Sequence, residues 1–174
     1  MTRTVLHGGQ VFDSISGVLA PADVVIDGQR VIDVGSGLDG DESIDVTGRT
    51  LLPGMFDCHT HLVMQHFDYL RLLTEPFSLQ FFYAVQAMRQ TLDVGITTVR
   101  DAWGADAGVK AAVERGMVPG PRMRITISMV AQTGGHADSW SLCGADLPIL
   151  PAHPGRPRGV SDGPDATVTS FRVS

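Results

Sequence analysis

The stretch Leu51-Leu52-Pro53-Gly54-Met55-Phe56-Asp57-Cys58-His59-Thr60-His61 decides the reading of this chain, because an apolar run leads straight into a His-x-His pair. On a β-strand successive side chains alternate between faces, so His59 and His61 project the same way, a little under ~7 Å apart along the backbone. Two imidazoles so placed can converge on one divalent metal ion. Asp57 falls on their face of the strand, and Cys58 on the opposite one, where a small core residue is expected. Three polar groups in a row on one face of a buried strand point to chemistry rather than packing.

Working outward toward the N-terminus, residues 3–52 read as short strands separated by turns. Residues 4–6 lead to Gly8-Gly9, Val11-Phe12 ends at Asp13-Ser14, and residues 22–26 run into Asp27-Gly28. Asp-Gly is a strong hairpin signal, and residues 30–34 supply the returning strand. Residues 43–46, the turn Thr47-Gly48 and residues 50–52 complete a small antiparallel β-module without helical periodicity.

From residue 53 onward strands alternate with helices, the pattern of parallel βα units. The first strand is residues 54–61. A helix follows within residues 78–93, where Leu79, Phe82, Val85, Met88 and Leu92 recur at helical spacing and Gly95 sits beyond the end. Residues 97–101 form the second strand, residues 107–115 a second helix stopped by Gly116, and residues 122–129 the third strand. After Val130 the regularity fades. Residues 151–165 are dense in Pro and Gly and read as an extended surface loop, and residues 166–174 lack caps and length for a further element. The boundaries expected are therefore 1–52 for the β-module and 53–174 for the βα part, with 151–174 as an irregular tail.

Composition narrows the function. At 174 residues the chain has room for one ordinary domain, or for a small domain plus part of a larger one. Its net charge of -6 comes with no basic stripe, which argues against a nucleic-acid partner. The cations are twelve Arg and one Lys, Lys110. Cys58 and Cys143 are the only cysteines and one sits in the His-x-His strand, so no disulfide framework is expected and a reducing cytoplasm fits best. No segment reads as a signal peptide or a membrane span.

Four ordered segments carry a resemblance. They are Gly8-Gly9-Gln10-Val11-Phe12-Asp13, the 51–61 block, Gly95-Ile96-Thr97-Thr98-Val99-Arg100-Asp101, and Gly120-Pro121-Arg122 with Thr133-Gly134-Gly135-His136-Ala137-Asp138. Together they resemble the N-terminal portion of a metal-dependent amidohydrolase of the imidazolonepropionase-like or prolidase-like (Xaa-Pro dipeptidase-like) branch. The resemblance implies an α/β fold: the N-terminal part of a (β/α)8 TIM-like barrel, about three βα units, preceded by a small β-sandwich module. It also implies hydrolysis of amide or other C–N bonds, on a dipeptide or N-acyl amino acid, with one or two divalent ions, Zn²⁺ foremost.

By that resemblance His59 and His61 are metal ligands. Asp57 stands between orienting a ligand imidazole and bonding backbone amides. His136 is implied to contact substrate, toward a carboxylate, against the alternative of a loop histidine. Arg100-Asp101 ends the second strand, where Asp101 is read first as a structural cap. His66 and His153 have no motif around them and default to surface or loop roles, while Met64, Phe67, Phe77, Phe81 and Phe82 are read as packing residues, with those near the first strand also open to lining a substrate pocket. Relatives take further ligands from later strands: a carboxylated lysine, two histidines and an aspartate that serves as general base. Lys110 lies in a helix and cannot supply the first, and no catalytic Asp is assignable. The alternative reading is thus a truncated or frameshifted non-catalytic segment, or one piece of a split enzyme. The partners expected are a small amide or dipeptide substrate, and either a second copy of the chain or a complementing C-terminal fragment.

Overall fold

A computed structural model describes residues 2–64 and 68–173, so His66 and Phe67 lie outside the described residues. The chain separates into two compact units, Met1–Pro53 and Gly54–Ser174.

In the first unit, β1 (Arg3–His7), β4 (Asp23–Asp27), β5 (Arg30–Gly35) and β6 (Glu42–Asp45) form a sheet of order β5-β4-β1-β6. A second sheet pairs β2 (Gln10–Asp13) with β3 (Val18–Pro21) and β7 (Thr50–Leu51) in the order β3-β2-β7. The Asp-Gly turn joins β4 to β5: Asp27 pairs with Arg30, and Gly28 takes a left-handed φ of 59° that glycine adopts without strain. The expectation of a purely antiparallel module is corrected, because β1 pairs with β6, and β2 with β7, in parallel. Those partners are distant in sequence, so no tight turn fixes their direction. Val5, Val24, Val25 and Val46 are buried here, whereas Val31, Ile32 and Val34 of β5 are exposed.

The second unit is built on three parallel strands, β8 (Met55–Thr60), β9 (Ile96–Asp101) and β10 (Arg122–Ile125), in the order β10-β9-β8. Between them lie α1 (Tyr69–Thr74), α2 (Leu79–Asp93) and α3 (Ala107–Glu114), and α4 (Pro164–Val173) follows. Leu62, Val63, Ala84, Met88, Val99, Val109 and Met123 bury one another between the sheet and the helices, each of the Leu, Val and Met side chains contributing about 1.5–3 kcal/mol on leaving water. Helix α2 stops where glycine permits it: Gly95 has φ 84° and donates to the Leu92 carbonyl at 2.9 Å.

Several expectations change in this unit. The inward stripe of α2 is Gln80, Ala84 and Met88, so Phe82 is 70% exposed; small Ala84 lets the helix approach β9, and the stripe rotates away from Phe82, while Phe77, ahead of the helix, packs edge-on against Phe81 with centroids 5.7 Å apart. The third strand ends at Ile125 rather than 129, because Ile127 takes φ 61°, a conformation that a β-branched residue inside a strand does not adopt. Helix α1, not anticipated, is capped by Asp68, whose Oδ1 accepts the Arg71 N–H at 3.2 Å. The tail is also corrected: α4 begins at Pro164, where the fixed φ of proline suits a first helical turn and outweighs the modest helix cost of the Thr and Val residues that follow.

Candidate metal and substrate site at the strand ends

Strand β9 ends in Asp101, which is fully buried. Its Oδ2 accepts the Leu62 N–H at 2.8 Å, and its Oδ1 accepts those of Trp103 at 3.2 Å and Ala105 at 3.1 Å. One carboxylate thereby ties the segment leaving β8 to the segment leaving β9. Burial pushes this carboxyl above its ordinary range, while the three amide donors and nearby His61 pull the other way. Asp101 acts as a structural clamp, in line with the reading from sequence.

That clamp brings His61 beside the 102–105 turn. His61 Nδ1 lies 3.1 Å from the Trp103 carbonyl oxygen. A carbonyl only accepts, so Nδ1 carries the proton and Nε2 keeps its lone pair; this fixes the tautomer that a metal-binding imidazole requires. The His59 and His61 rings have centroids 5.2 Å apart at an interplanar angle of 84°. Two imidazoles ligating one ion at ~2.1 Å in tetrahedral geometry have centroids roughly 5 Å apart, so the separation suits a shared cation. Among the described residues no group of three or more His, Cys, Asp or Glu is gathered that could hold a metal.

The other residues of the motif fall differently from strict alternation. Asp57 pairs in register with Val99 and Thr60 with Asp101, so Cys58 and His59 together face Arg100 across a bulge. The bulge leaves Cys58 exposed instead of in the core. Asp57 Oδ1 accepts the main-chain N–H of His59 at 3.0 Å, the backbone-bonding arrangement of the two weighed for it.

Above His61 the chain from residue 126 to 163 folds over a cavity of about 590 Å³, lined by His61, Met64, Trp103, His136 and Arg156 among others. His136 is exposed on the Gly134-Gly135 loop and faces this cavity. Its loop is held at both ends: Asp162 accepts the Thr133 N–H at 2.9 Å, and Asp138 Oδ2 accepts the Gly134 N–H at 2.7 Å. His153 lies in the same roof, its ring edge-on to Phe77 and Phe81 with centroids at 5.3 and 6.0 Å. Burial, then Arg156, push its pKa down.

The largest surprise is Arg156. It sits in the Pro- and Gly-rich segment expected at the surface, yet is only 1% exposed. Its Nη1–H donates to the Gly104 carbonyl at 2.6 Å, and its Nη2 to Gln80 Oε1 at 2.9 Å and the Pro151 carbonyl at 3.1 Å. The guanidinium thus pins the roof to the same 102–105 turn that orients His61. Burial lowers its pKa, with Asp106 and Asp101 opposing. An arginine between prolines carries no sequence signal for this role, since its partners are mostly main-chain carbonyls.

With this geometry in view, the comparisons with known proteins agree on one lineage. A family model described as "Amidohydrolase family" matches residues 50–170. Adenine deaminase 1 of Rhizobium meliloti (strain 1021) is 34% identical over 109 residues, which is 56% of this chain and 19% of that protein. A crystal structure of a prolidase complexed with N-methylphosphonate-L-proline is 35% identical, with a TM-score of 0.80, covering 98% of this chain and 43% of that one. A Xaa-Pro dipeptidase with bound methionine in the active site is 26% identical, with a TM-score of 0.75, over 99% of this chain and 45% of the other. The chain spans about a fifth of the length of the curated relative and less than half of the solved ones.

Proposed function

The chain belongs to the amidohydrolase family, and from that premise we propose that it supplies the first two ligands, His59 and His61, of a divalent-cation site that hydrolyses C–N bonds. Zn²⁺ is the cation that two neutral imidazoles suit best among the divalent ions of such sites. The substrate class proposed is a dipeptide or N-acyl amino acid. Solved relatives described as a prolidase and a Xaa-Pro dipeptidase support that choice.

The observation that carries the reading is the bond between His61 Nδ1 and the Trp103 carbonyl, with the His59 ring 5.2 Å away. It holds the Nε2 lone pair in place before any ion arrives, so binding costs no tautomer change. When bound, a divalent cation polarises a substrate carbonyl and lowers the pKa of water toward ~7. The chain's own residues do the rest of what is proposed here. His136, held over the cavity by the Thr133–Asp162 and Gly134–Asp138 bonds, donates to the substrate carboxylate. Trp103 and Leu150 in the cavity lining exclude water from the reacting bond. The roof pinned by Arg156 keeps His136 and His61 on one cavity.

With two donors in reach, the site needs at least one more to match the three usual in catalytic zinc centres. That observation favours a second reading: a non-catalytic segment, or a piece that works only with complementing polypeptide. Zinc titration of the purified chain, wild type against His59→Ala and His61→Ala, tests the ligand assignment, while chelator-sensitive turnover of a dipeptide by the isolated chain would exclude the second reading. Loss of zinc affinity of about tenfold or more in either variant is expected from removal of one ligand. Unchanged affinity in both would end the ligand assignment.

A further inference from the structure

The Pro- and Gly-rich stretch closes on itself at residues 153–156. In this turn the His153 N–H donates to the Arg156 carbonyl at 3.1 Å and the Arg156 N–H to the His153 carbonyl at 2.8 Å. Two main-chain bonds thus tie the imidazole to the guanidinium, so what displaces one displaces the other. The turn is seated tightly: a Cβ on Gly155 would come within 2.7 Å of Asp106 Oδ2 and 3.2 Å of His153 Cε1. Arg156 anchors it through Gly104, Gln80 and Pro151. His153 is the second anchor, and it has no part in the site at His59 and His61.

Geometry holds the His153 ring in its neutral form. Its Nδ1 accepts the Gly155 N–H at 3.1 Å, so the ring proton lies on Nε2, which is shut off from solvent and meets no acceptor among the described residues. Protonation places a hydrogen on Nδ1 facing the Gly155 N–H, and two donors cannot share that contact. The surroundings oppose the charge as well. On the side of α2 the ring meets Phe77 and Phe81, and the one polar group there, Gln80 Oε1, is taken by Arg156. The charged groups acting on the ring are Arg156 of its own turn, which disfavours an imidazolium, and Asp106 at the N-terminal cap of α3, which favours it. Asp106 does not compensate. Its Oδ1 is engaged by the Val109 N–H at 2.9 Å, and burial, then Arg156, outweigh it, leaving the ring below its ordinary value of 6.5.

We propose that His153 is a pH-sensitive latch: neutral, it seats the 153–156 turn against α2 and α3, and on protonation at Nδ1 it releases that turn, drawing Arg156 from the Gly104 carbonyl and freeing the roof of the cavity. Linkage gives the direction. With the folded-state pKa held below 6.5, the released turn takes up a proton more readily than the seated one. The roof is therefore secured above about pH 6.5 and loosens as pH falls through the folded value. The latch governs access to the cavity and is independent of whether His59 and His61 bind a cation.

Hydrogen exchange of the full chain, compared at about pH 7.5 and about pH 5 after correction for the intrinsic chemical rate, reads the latch directly. Protection of the His153 and Arg156 amides is expected to fall by about threefold or more at the lower pH, while that of Val99 in β9 holds. In His153→Asn, whose side-chain oxygen can take the Gly155 N–H without titrating, and in His153→Phe, which keeps a ring but cannot titrate, the fall disappears. Equal protection of the wild type at both pH values overturns the proposal. So does a fall that persists in either variant, which assigns it to another group, and so does one that Val99 shares, which makes it global acid unfolding. Titration of the wild-type imidazole by NMR needs no variant: His153 is expected to protonate below 6.5, and protonation at or above that value refutes the latch even where both variants fail to fold.

Discussion

Gly159→Ala tests the roof over the cavity, because two opposing effects meet there and their sizes decide the sign. Gly159 has no left-handed φ, so alanine fits its backbone conformation. On that ground alone the substitution stabilises by about 0.4–1 kcal/mol, through a smaller unfolded ensemble. The buried surroundings reverse this. A Cβ at residue 159 would overlap the Met129 carbonyl oxygen, with the carbonyl carbon 2.6 Å away and the Val130 nitrogen 3.3 Å away. These are main-chain atoms and cannot rotate aside. Relief requires the two segments to part, and they are joined by Ala131 N–H to the Gly159 carbonyl at 3.1 Å and Ser161 N–H to the Ala131 carbonyl at 2.9 Å.

Losing those two bonds at about 1 kcal/mol each, with overpacking of about 1–3 kcal/mol, leaves a net destabilisation of about 2–4.5 kcal/mol after the unfolded-state gain. In urea denaturation the midpoint should fall by roughly 1–2 M for a typical m-value. Hydrogen exchange localises the damage, with the Ala131 and Ser161 amides losing protection ahead of the Val99 core. A variant as stable as wild type, with both amides still protected, would refute the steric reasoning and with it this packing of the roof.

Two further outcomes follow from the carboxylates. Asp101→Asn keeps one acceptor oxygen for Trp103 and Ala105 but turns an amide NH₂ toward the Leu62 N–H, so selective loss of Leu62 protection by about tenfold or more is expected in hydrogen exchange; equal protection at all three amides would exclude the clamp. In the first unit, the Leu38 amide, then those of Gly8 and Gly37, hold the Asp23 carboxyl below its ordinary value of 3.8. A depressed folded-state pKa gives stability that is present above 3.8 and is lost as pH falls through the folded value. The advantage of wild type over Asp23→Asn in acid unfolding should therefore hold at about pH 5 and shrink toward about pH 2; an advantage that grows with acidity would contradict the sign.

Much of the architecture was legible because it rests on local signals. Asp27-Gly28 marks a hairpin by its backbone needs, and Gly95 marks the end of α2 for the same reason. Parallel βα order follows from strands and helices alternating after residue 53. What escaped depends on chain segments far apart. Nothing local shows that β1 and β6 run parallel, nor that α2 turns Ala84 inward and Phe82 outward. The start of α4 was written in Pro164-Asp165 and then masked by the β-branched residues behind it.

The site divides along a similar line. His59 and His61 stand out in sequence through their spacing and the ordered blocks around them, whereas the groups that orient the His61 ring are main-chain atoms. The carbonyl that fixes the His61 tautomer belongs to Trp103, and any residue there would offer the same oxygen. Arg156 was invisible for the matching reason, since two of its three acceptors are the carbonyls of Gly104 and Pro151. Alternation failed where the chain does something special: the bulge between Asp57 and Thr60 sets both Cys58 and His59 against Arg100. That one extra residue carries His59 toward the arginine-bearing face of the sheet.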